Sequence, residues 1–360
     1  MSQNVAEEGT GTAALVSVVV PAFNAAKTLA EALDSILSQS YPSIEIVVVD
    51  DGSTDETAQL LARYGDSLQV VHQANAGLPG ARNAGCQLAR GEFIALMDAD
   101  DLCAPERIAV QVQAMQRHPD AVLCCSDFSA FDGNGQVSES HGATYYSQIG
   151  DARDGLSSLF PHRESLRAWL SFSASVPAGN PVEIETHFGS VYRDLAFGNF
   201  VHPPTVMFRA ETLRTAGMFD ETIRYNSDWE CFVRMSRLGA VVHLARPLLA
   251  YRLSDSQMSS SRGNRGRGAL DLVHASAKIW RSDPDLQLRD AARMRSCQRE
   301  FYSNAARALV ADDKLMAAKM LAASVWCGSV NRDAVSTAIK LLLPHWLIGL
   351  VRRNRQMPGG

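Results

Sequence analysis

The sequence predicts an α/β fold, a mostly parallel sheet flanked by helices, with a helical region after it. Three observations support this prediction. Short runs rich in valine and isoleucine alternate with segments of helical periodicity in the first third of the chain. Polar side chains directly follow several of these runs, and strand-like runs stop beyond residue 268. Alternating strands and helices build parallel sheets that are covered on both faces.

Five apolar runs have the length and composition of buried strands, and they lie at 16–21, 44–49, 68–72, 93–97 and 121–126. The segments between them carry apolar residues at helical spacing, and they lie at 28–40, 78–89 and 105–117. A further helix is predicted to begin at Ser53, because Ser53 and Glu56 have the spacing of a capping box.

The second half of the chain is less regular. Residues 131–200 have weak periodicity, which predicts either an excursion over a site or a loop with no special role, with a short helix near 166–171. Order returns at 200–208, followed by a predicted helix at 228–238 and a strand at 240–244. A linker at 254–268 precedes four helices, predicted at 269–280, 286–310, 314–326 and 334–343. We therefore expect a disordered lead-in at 1–13, a main domain at 14–260 and a helical region at 269–355.

Composition narrows the function classes. A net charge of −5 and a pI near 6.0 argue against non-specific nucleic-acid binding. Seven cysteines without a CxxC pair predict reduced thiols in a cytoplasmic protein. Residues 1–13 lack the pattern of a signal peptide, and no apolar stretch approaches the length of a membrane span. The apolar run 341–351 precedes Arg352, Arg353 and Arg355, which predicts either contact with an anionic membrane or a packed terminal helix.

Three carboxylates within four residues end the fourth predicted strand. Asp98, Asp100 and Asp101 would repel one another unless a cation lies among them, and Mg²⁺ prefers such oxygen ligands together with substrate phosphates. The alternative is a solvated turn that caps the helix beginning near Pro105. Polar clusters also end the first and second strands, at 23–24 and 50–51, and parallel topology would bring all three clusters to one edge.

The chain resembles the family 2 glycosyltransferases of the GT-A fold over roughly residues 14–260, with 131–200 unmatched. The resemblance rests on several motifs in order, and these read SVVVPAFNAAKTLAEALDSILSQSYPSIEIVVVDDGSTDET, NAGLPGARNAG, GEFIALMDADD, TVMFRAETLRTAGMFDE, NSDWECFVRMSRLG and PLLAYRL. It implies a Rossmann-like sheet and transfer of a sugar from a nucleoside diphosphate, with inversion at the anomeric carbon. The segment 131–200 would be an acceptor-side insertion.

The resemblance also implies roles for named residues. The nucleotide-binding positions would be Pro21, Ala22, Phe23, Asp51, Arg82 and Asp98. Asp100 would bind the divalent cation, Mg²⁺ or Mn²⁺, with Asp101 beside it. Asp228 would be the catalytic base, Trp229 would contact the acceptor or fill the core, and Arg252 would serve the phosphates. Family members often carry a histidine two residues after that arginine, where this chain has Ser254.

The partners follow from the same resemblance. We expect a donor that is a nucleoside diphosphate sugar, with a uridine nucleotide favoured, and a saccharide or lipid-linked acceptor in bacterial surface polysaccharide or glycolipid synthesis. The expected location is the cytoplasm, with peripheral contact of the C-terminal tail with the inner membrane as an alternative. The missing histidine leaves a second hypothesis, a catalytically degenerate subunit that binds nucleotide sugar in an assembly complex.

Overall fold

The structure, a computed structural model, describes residues 13–169, 181–254, 265–328 and 332–342. Its strands form one sheet, in the order β3-β2-β1-β4-β10-β6-β11-β9-β8, with β5 and β7 attached to β11 and β6. The strands are β1 (Val16–Ala22), β2 (Ile44–Asp50), β3 (Gln69–His72), β4 (Phe93–Leu96), β5 (Leu102–Cys103), β6 (Ala121–Asp132), β7 (Gly135–Ser138), β8 (His162–Trp169), β9 (Pro181–Gly189), β10 (Met207–Arg209) and β11 (Ala240–Arg252).

Helices connect these strands and continue after them. Those up to the last strand are α1 (Leu29–Leu37), α2 (Thr57–Leu61), α3 (Gly77–Leu88), α4 (Arg107–Arg117), α5 (Gly142–Tyr145), α6 (Ser147–Gly150), α7 (Leu156–Leu159), α8 (Tyr192–Leu195), α9 (Ala210–Thr215) and α10 (Ser227–Ser236). The C-terminal helices are α11 (Arg265–Arg281), α12 (Pro284–Arg289), α13 (Ala291–Leu309), α14 (Lys314–Trp326) and α15 (Arg332–Leu342). Among the described residues no helix is long and apolar enough to span a membrane.

The direction of the strands decides where the candidate residues meet. Strands β1 to β4 run parallel to one another, and β6 and β11 form a second parallel pair. Because β10 lies antiparallel between β4 and β6, both groups point the same way. The carboxyl ends of these six strands therefore share one edge of the sheet, which is where open α/β sheets bind ligands.

Two local predictions were wrong. The helix expected near 166–171 overlaps β8, where Leu166 and Ala168 are buried while Ser165 and Arg167 are exposed, so the pattern has the period of a strand. The capping box at Ser53 does not form, and α2 begins at Thr57. The reason is that the Ser53 hydroxyl accepts a hydrogen bond from the backbone N–H of Asn24 instead.

The segments predicted to be a lead-in and a membrane-binding or packed tail lie outside the described residues, except that the lead-in reaches residue 13 and the apolar run begins with Leu341 and Leu342. The main hydrophobic core spans both parts of the sheet and also includes Ala275, Ile279, Trp280 and Leu286. A second, smaller core contains Leu309, Val310 and Ala317. Helices α11 and α12 therefore share the core of the sheet, whereas α14 packs on the smaller core.

Candidate active site

The loop after β1 is held in place by the segment that precedes α2. The backbone N–H of Asn24, which has a positive φ of 50°, donates to the Ser53 hydroxyl over 2.9 Å. The N–H of Ala25 donates to the Thr57 hydroxyl over 2.9 Å. These bonds fix the backbone on both sides of the turn, so the adjacent Phe23 is presented from a defined loop.

The three residues predicted to line a nucleobase pocket differ in what they expose. Pro21 and Ala22 are buried in β1, whereas more than half of the Phe23 side chain is exposed. A fixed, exposed aromatic ring beside the strand ends can stack on a planar base. Phe23 is therefore the one of the three whose side chain is accessible to a ligand.

The carboxylate of Asp51 organises the start of α3. One oxygen accepts from the Gln73 side chain at 2.7 Å and from the Ala76 N–H at 2.8 Å, and the other accepts from the Gly77 N–H at 2.9 Å. Gly77 has a φ of 78°, which favours glycine at this turn. Asp51 thus fixes the turn between β3 and α3 at the sheet edge, next to the loop that carries Phe23.

Arg82 is a buried cation within the site. Its side chain is 1% exposed, and one of its terminal nitrogens lies 3.1 Å from a carboxylate oxygen of Asp98. The guanidinium also lies 5.6 Å from the centre of the Phe219 ring. Within the described part of the chain, its Nε has no hydrogen-bond partner. Arg82 connects α3 to the loop that follows β4.

The loop after β4 is tied to the end of β11 through Arg252. The backbone N–H of Arg252 donates to Asp101 over 2.9 Å, and its Nε donates to the carbonyl oxygen of Asp100 over 2.8 Å. A terminal nitrogen lies 2.5 Å from Glu31, and the guanidinium lies 4.6 Å from the centre of the Phe131 ring. Arg252, predicted to contact the phosphates, therefore holds in place the loop after β4. We call this loop, which carries Asp98, Asp100 and Asp101, the aspartate loop.

The carboxylates of this loop are crowded. Burial and the nearby charge of Asp98 raise the pKa of Asp100 to about 6. Burial, with the charges of Asp98 and Asp100, raises the pKa of Asp101 well above its usual range. One oxygen of Asp101 has no hydrogen-bond partner among the described residues. A cation that binds beside such crowded, partly buried carboxylates stabilises their ionised form.

Asp228 lies at the start of α10, within electrostatic range of Arg82. Asn226, just before the helix, has a φ of 65°, and one oxygen of Asp228 accepts the N–H of Trp229 over 2.8 Å. Burial raises the pKa of Asp228, while the positive charge of Arg82 opposes that shift. A carboxylate with a raised pKa is a stronger base for proton transfer.

Trp229 lies in the core. Its ring is buried, its indole N–H donates to the carbonyl oxygen of Leu195 over 2.7 Å, and it meets Phe301 edge to face at 6.2 Å. Of the two roles predicted for Trp229, the structure supports packing.

A group of six rings lies beside these acidic residues, at the ends of β6 and β11. We call it the aromatic cluster, and it consists of Phe128, His141, Tyr145, Tyr146, His202 and Tyr251. Tyr145 is 40% exposed although its ring touches the other five. It therefore forms the solvent-facing surface of the cluster.

Inside the cluster, His202 stacks on Phe128 at 3.8 Å, and its Nδ1 lies 3.1 Å from the Tyr146 hydroxyl. Burial lowers the pKa of His202 to about 3, so the ring is neutral. Burial raises the pKa of Tyr146, and the negative charge of Asp228 adds to that shift. The cluster therefore reaches from Tyr146, which interacts with Asp228, to Tyr251, the residue before Arg252.

Comparison with known proteins identifies the family. The model of glycosyl transferase family 2 matches residues 17–166, which contain β1 to β4 and the aspartate loop. Residues 17–166 of this chain belong to glycosyl transferase family 2. A Rickettsia typhi protein described as an uncharacterized glycosyltransferase is 25% identical over 256 residues, 70% of this chain and 68% of its own.

Two further comparisons bear on the glycosyltransferase. The glycosyltransferase GlyG of Streptococcus pneumoniae is 36% identical over 136 residues, 37% of this chain and 43% of its own. The solved mannosyltransferase of Pyrobaculum calidifontis, in complex with GDP-Man and Mn²⁺, superposes with a TM-score of 0.53 at 20% identity. It covers 94% of this chain and 84% of its own. The predicted GT-A fold, with helices after the sheet, is confirmed.

The carboxylates of the aspartate loop could hold a divalent cation together with the phosphates of a bound substrate. In the described part of the chain, no three His, Cys, Asp or Glu side chains are placed to hold a metal ion. Asp98 and Asp100 are nevertheless partly exposed and only two residues apart. Mg²⁺ commonly uses one or two carboxylates and completes its shell with substrate phosphates and water.

The structure brings most of the predicted site residues to one edge and adds others. Phe23, Asp51, the aspartate loop and Arg252 meet there through strand topology, and Arg82 links the loop to Asp228 electrostatically. The sequence analysis did not predict the aromatic cluster, His202 included. The Tyr145-Tyr146 pair was the available signal, but the contacts of these two residues with β6 and β11 depend on tertiary folding.

Proposed function

We propose that the protein is an inverting, metal-dependent glycosyltransferase that moves a sugar from a nucleoside diphosphate to a hydroxyl acceptor. The arrangement that supports this best is a partly buried base, Asp228, that interacts electrostatically with both Arg82 and Asp98, while the buried Arg82 contacts Asp98 of the aspartate loop. Each chemical requirement of the transfer then has a residue of the right type. A uridine nucleotide is the favoured donor, by resemblance.

The proposed step is a single displacement. The acceptor oxygen attacks the anomeric carbon and forms the new glycosidic bond while the bond from that carbon to the diphosphate oxygen breaks. Asp228 accepts the acceptor's proton, and the nucleoside diphosphate leaves with the bonding electron pair. A divalent cation held by Asp98 and Asp100 would supply Lewis-acid neutralisation of the charge on the diphosphate.

The remaining residues position the two substrates. Phe23 offers a face for the base, and Asp51 shapes the adjoining turn while standing as the proposed base contact. The exposed ring of Tyr145 offers a surface for the apolar face of an acceptor sugar, because aromatic rings stack on such faces. A saccharide or lipid-linked acceptor in bacterial surface polysaccharide or glycolipid synthesis fits this arrangement, and that choice is by analogy.

The test is a panel of nucleoside diphosphate sugars with Mn²⁺, scored by release of nucleoside diphosphate. We expect one donor to turn over, and Asp228→Asn to lower kcat by about 10²–10⁴-fold with little change in donor KM. Asp120→Asn, the same substitution at an exposed aspartate, is the matched control. Full turnover in Asp228→Asn would exclude Asp228 as the base.

The same panel separates the second hypothesis. A degenerate subunit would bind a nucleotide sugar, as measured by calorimetry, without releasing nucleoside diphosphate under any metal condition. Presence of aspartate at 98, 100 and 228 favours turnover. Asp100→Ala is expected to abolish the dependence of activity on Mn²⁺ concentration.

A further inference from the structure

Charge is divided unequally along this chain. Residues 265–360 contain 16 Lys and Arg against 8 Asp and Glu, a net charge of +8. Residues 1–264 contain 18 against 31, a net charge of −13. Such asymmetry between two parts of a chain points to a negatively charged partner for the basic part. The catalytic edge described above lies within the acidic part.

The basic part also exposes several large apolar side chains. Trp326, at the end of α14, is 92% exposed, and Leu342, at the end of α15, is 87% exposed. Leu315 and Ile339 are more than half exposed as well. Scattered exposed apolar residues are ordinary, but large ones on two adjacent helices are characteristic of a binding surface.

Helices α14 and α15 lie side by side. We call their exposed apolar residues the α14–α15 face, and these are Leu315, Trp326, Ile339 and Leu342. The ammonium group of Lys314 donates to the carbonyl oxygen of Leu341 over 3.2 Å, so the start of α14 lies beside the end of α15. Leu315 and Leu342 are therefore at the same end of this antiparallel pair. Trp326 lies at the far end of α14.

The opposite sides of both helices are already packed. Ala317 belongs to the smaller core, the Ser324 hydroxyl donates to the carbonyl oxygen of Arg299, and Thr337 on α15 is buried. The apolar residues of the α14–α15 face thus lie away from the contacts that hold the helices on the protein. These exposed side chains therefore do not contribute to the core.

We propose that the α14–α15 face binds the surface of an anionic lipid bilayer. Leucine, isoleucine and tryptophan side chains enter the boundary between headgroups and acyl chains, while nearby lysines and arginines remain at the charged headgroups. Lys319 is exposed on the same helix as Trp326, and the sequence continues beyond α15 to Arg352, Arg353 and Arg355. A lipid surface satisfies both the apolar and the cationic features.

Charge complementarity favours lipid over a second copy of the chain. A second copy would bring another basic region with net charge +8 against the first if the two faces paired symmetrically. An anionic bilayer instead attracts juxtaposed basic residues, by about 1 kcal/mol for each near the surface.

Sedimentation of the full chain with vesicles tests the proposal. The full chain is expected to sediment with vesicles of equal parts phosphatidylglycerol and phosphatidylcholine, and not with phosphatidylcholine alone. The double variant Trp326→Ser, Leu342→Ser is expected to bind at least about tenfold more weakly. Raising ionic strength from about 0.1 M to about 1 M should weaken binding, because the Debye length falls from about 10 Å to about 3 Å.

Leu238→Ser is the matched control. Leu238 is also an exposed leucine, at 53%, but it lies in the acidic part of the chain, after α10. It should bind vesicles as the wild type does. Circular dichroism and donor-dependent release of nucleoside diphosphate establish that all variants are folded. Absence of vesicle binding, equal binding by the double variant, or a dimer in light scattering that the double variant dissociates would each overturn the proposal.

Discussion

At the residue scale, the proton affinity of Asp228 is set by two opposing influences. Burial disfavours its charged form, and the guanidinium of Arg82 favours it. Only ionised Asp228 can accept a proton, so the rate falls as pH drops through its pKa. We expect the acid limb of kcat/KM to lie above the ordinary aspartate pKa of about 3.9, and Arg82→Gln to move it to higher pH.

Complete pH–rate profiles of both proteins measure this shift. Arg90→Gln is the control, because Arg90 is an exposed arginine whose partner is Glu45 rather than a site carboxylate. An acid limb at the same pH in Arg82→Gln and in the wild type would contradict the assigned influence of Arg82.

Asp100 gives a second prediction at the same scale. Its folded-state pKa of about 6 exceeds the ordinary value, so its ionisation costs the folded protein stability. That cost is fully present above pH 6 and disappears as pH falls toward the ordinary value. Because the cation binds the ionised form, Mn²⁺ should raise Tm more at about pH 7.5 than at about pH 5.

Differential scanning calorimetry with and without Mn²⁺ measures this difference. Asp100→Ala should show little Mn²⁺ effect at either pH, whereas Asp120→Asn should behave as the wild type. An equal rise in Tm at both values of pH would argue against coupling of metal binding to this carboxylate.

At the scale of elements, the end of β11 supports the loop after β4. Arg252→Ala removes the bonds to the Asp100 carbonyl and to Glu31 but leaves the backbone N–H bonded to Asp101. Loss of one such bond costs about 1 kcal/mol. We expect the Mn²⁺ concentration for half-maximal activity to rise about fivefold, with metal-free nucleotide affinity unchanged.

The comparison variant is Arg246→Ala, on the same strand, where the arginine pairs with Glu106 at 3.1 Å instead. Metal dependence should be unaffected there. If Arg252→Ala weakens nucleotide binding without metal, Arg252 acts on the phosphates directly, as the resemblance implied.

The elements also show what sequence can predict. Runs such as 93–97 predicted their strands correctly because parallel, fully buried strands require continuous apolar residues. By contrast, Ser53 matched the local capping-box pattern, but its hydroxyl accepts a hydrogen bond from the backbone N–H of Asn24, 29 positions away. The antiparallel β10 and the aromatic cluster were missed for the same reason: strand direction and side-chain clustering are decided by contacts that no local pattern records. Asp98, Asp100 and Asp228 were proposed from motifs, while the contact of Arg82 with Asp98 and its charge interaction with Asp228 required the fold.

At the scale of the whole molecule, the first C-terminal helices are part of the main core. The indole N–H of Trp280 donates to the carbonyl oxygen of Ala196 over 2.8 Å, and its ring stacks on Phe301 at 6.0 Å. Lys278 lies 2.8 Å from the buried Glu230 of α10, the helix whose first turn carries the proposed base Asp228. The boundary expected after residue 260 therefore separates residues that pack together.

This packing predicts different outcomes for two truncations. A chain ending at residue 260 should not fold, because it loses Trp280, whose removal alone costs about 3–5 kcal/mol of a total stability of about 5–15 kcal/mol. It also leaves Glu230 buried with Arg234 as its remaining partner. A chain ending at residue 312 keeps these contacts and loses only the helices on the smaller core. It should unfold cooperatively at a lower Tm than the full chain, as followed by circular dichroism. If the chain ending at residue 260 unfolded cooperatively near the full-length Tm, the sheet would not depend on α11 to α13.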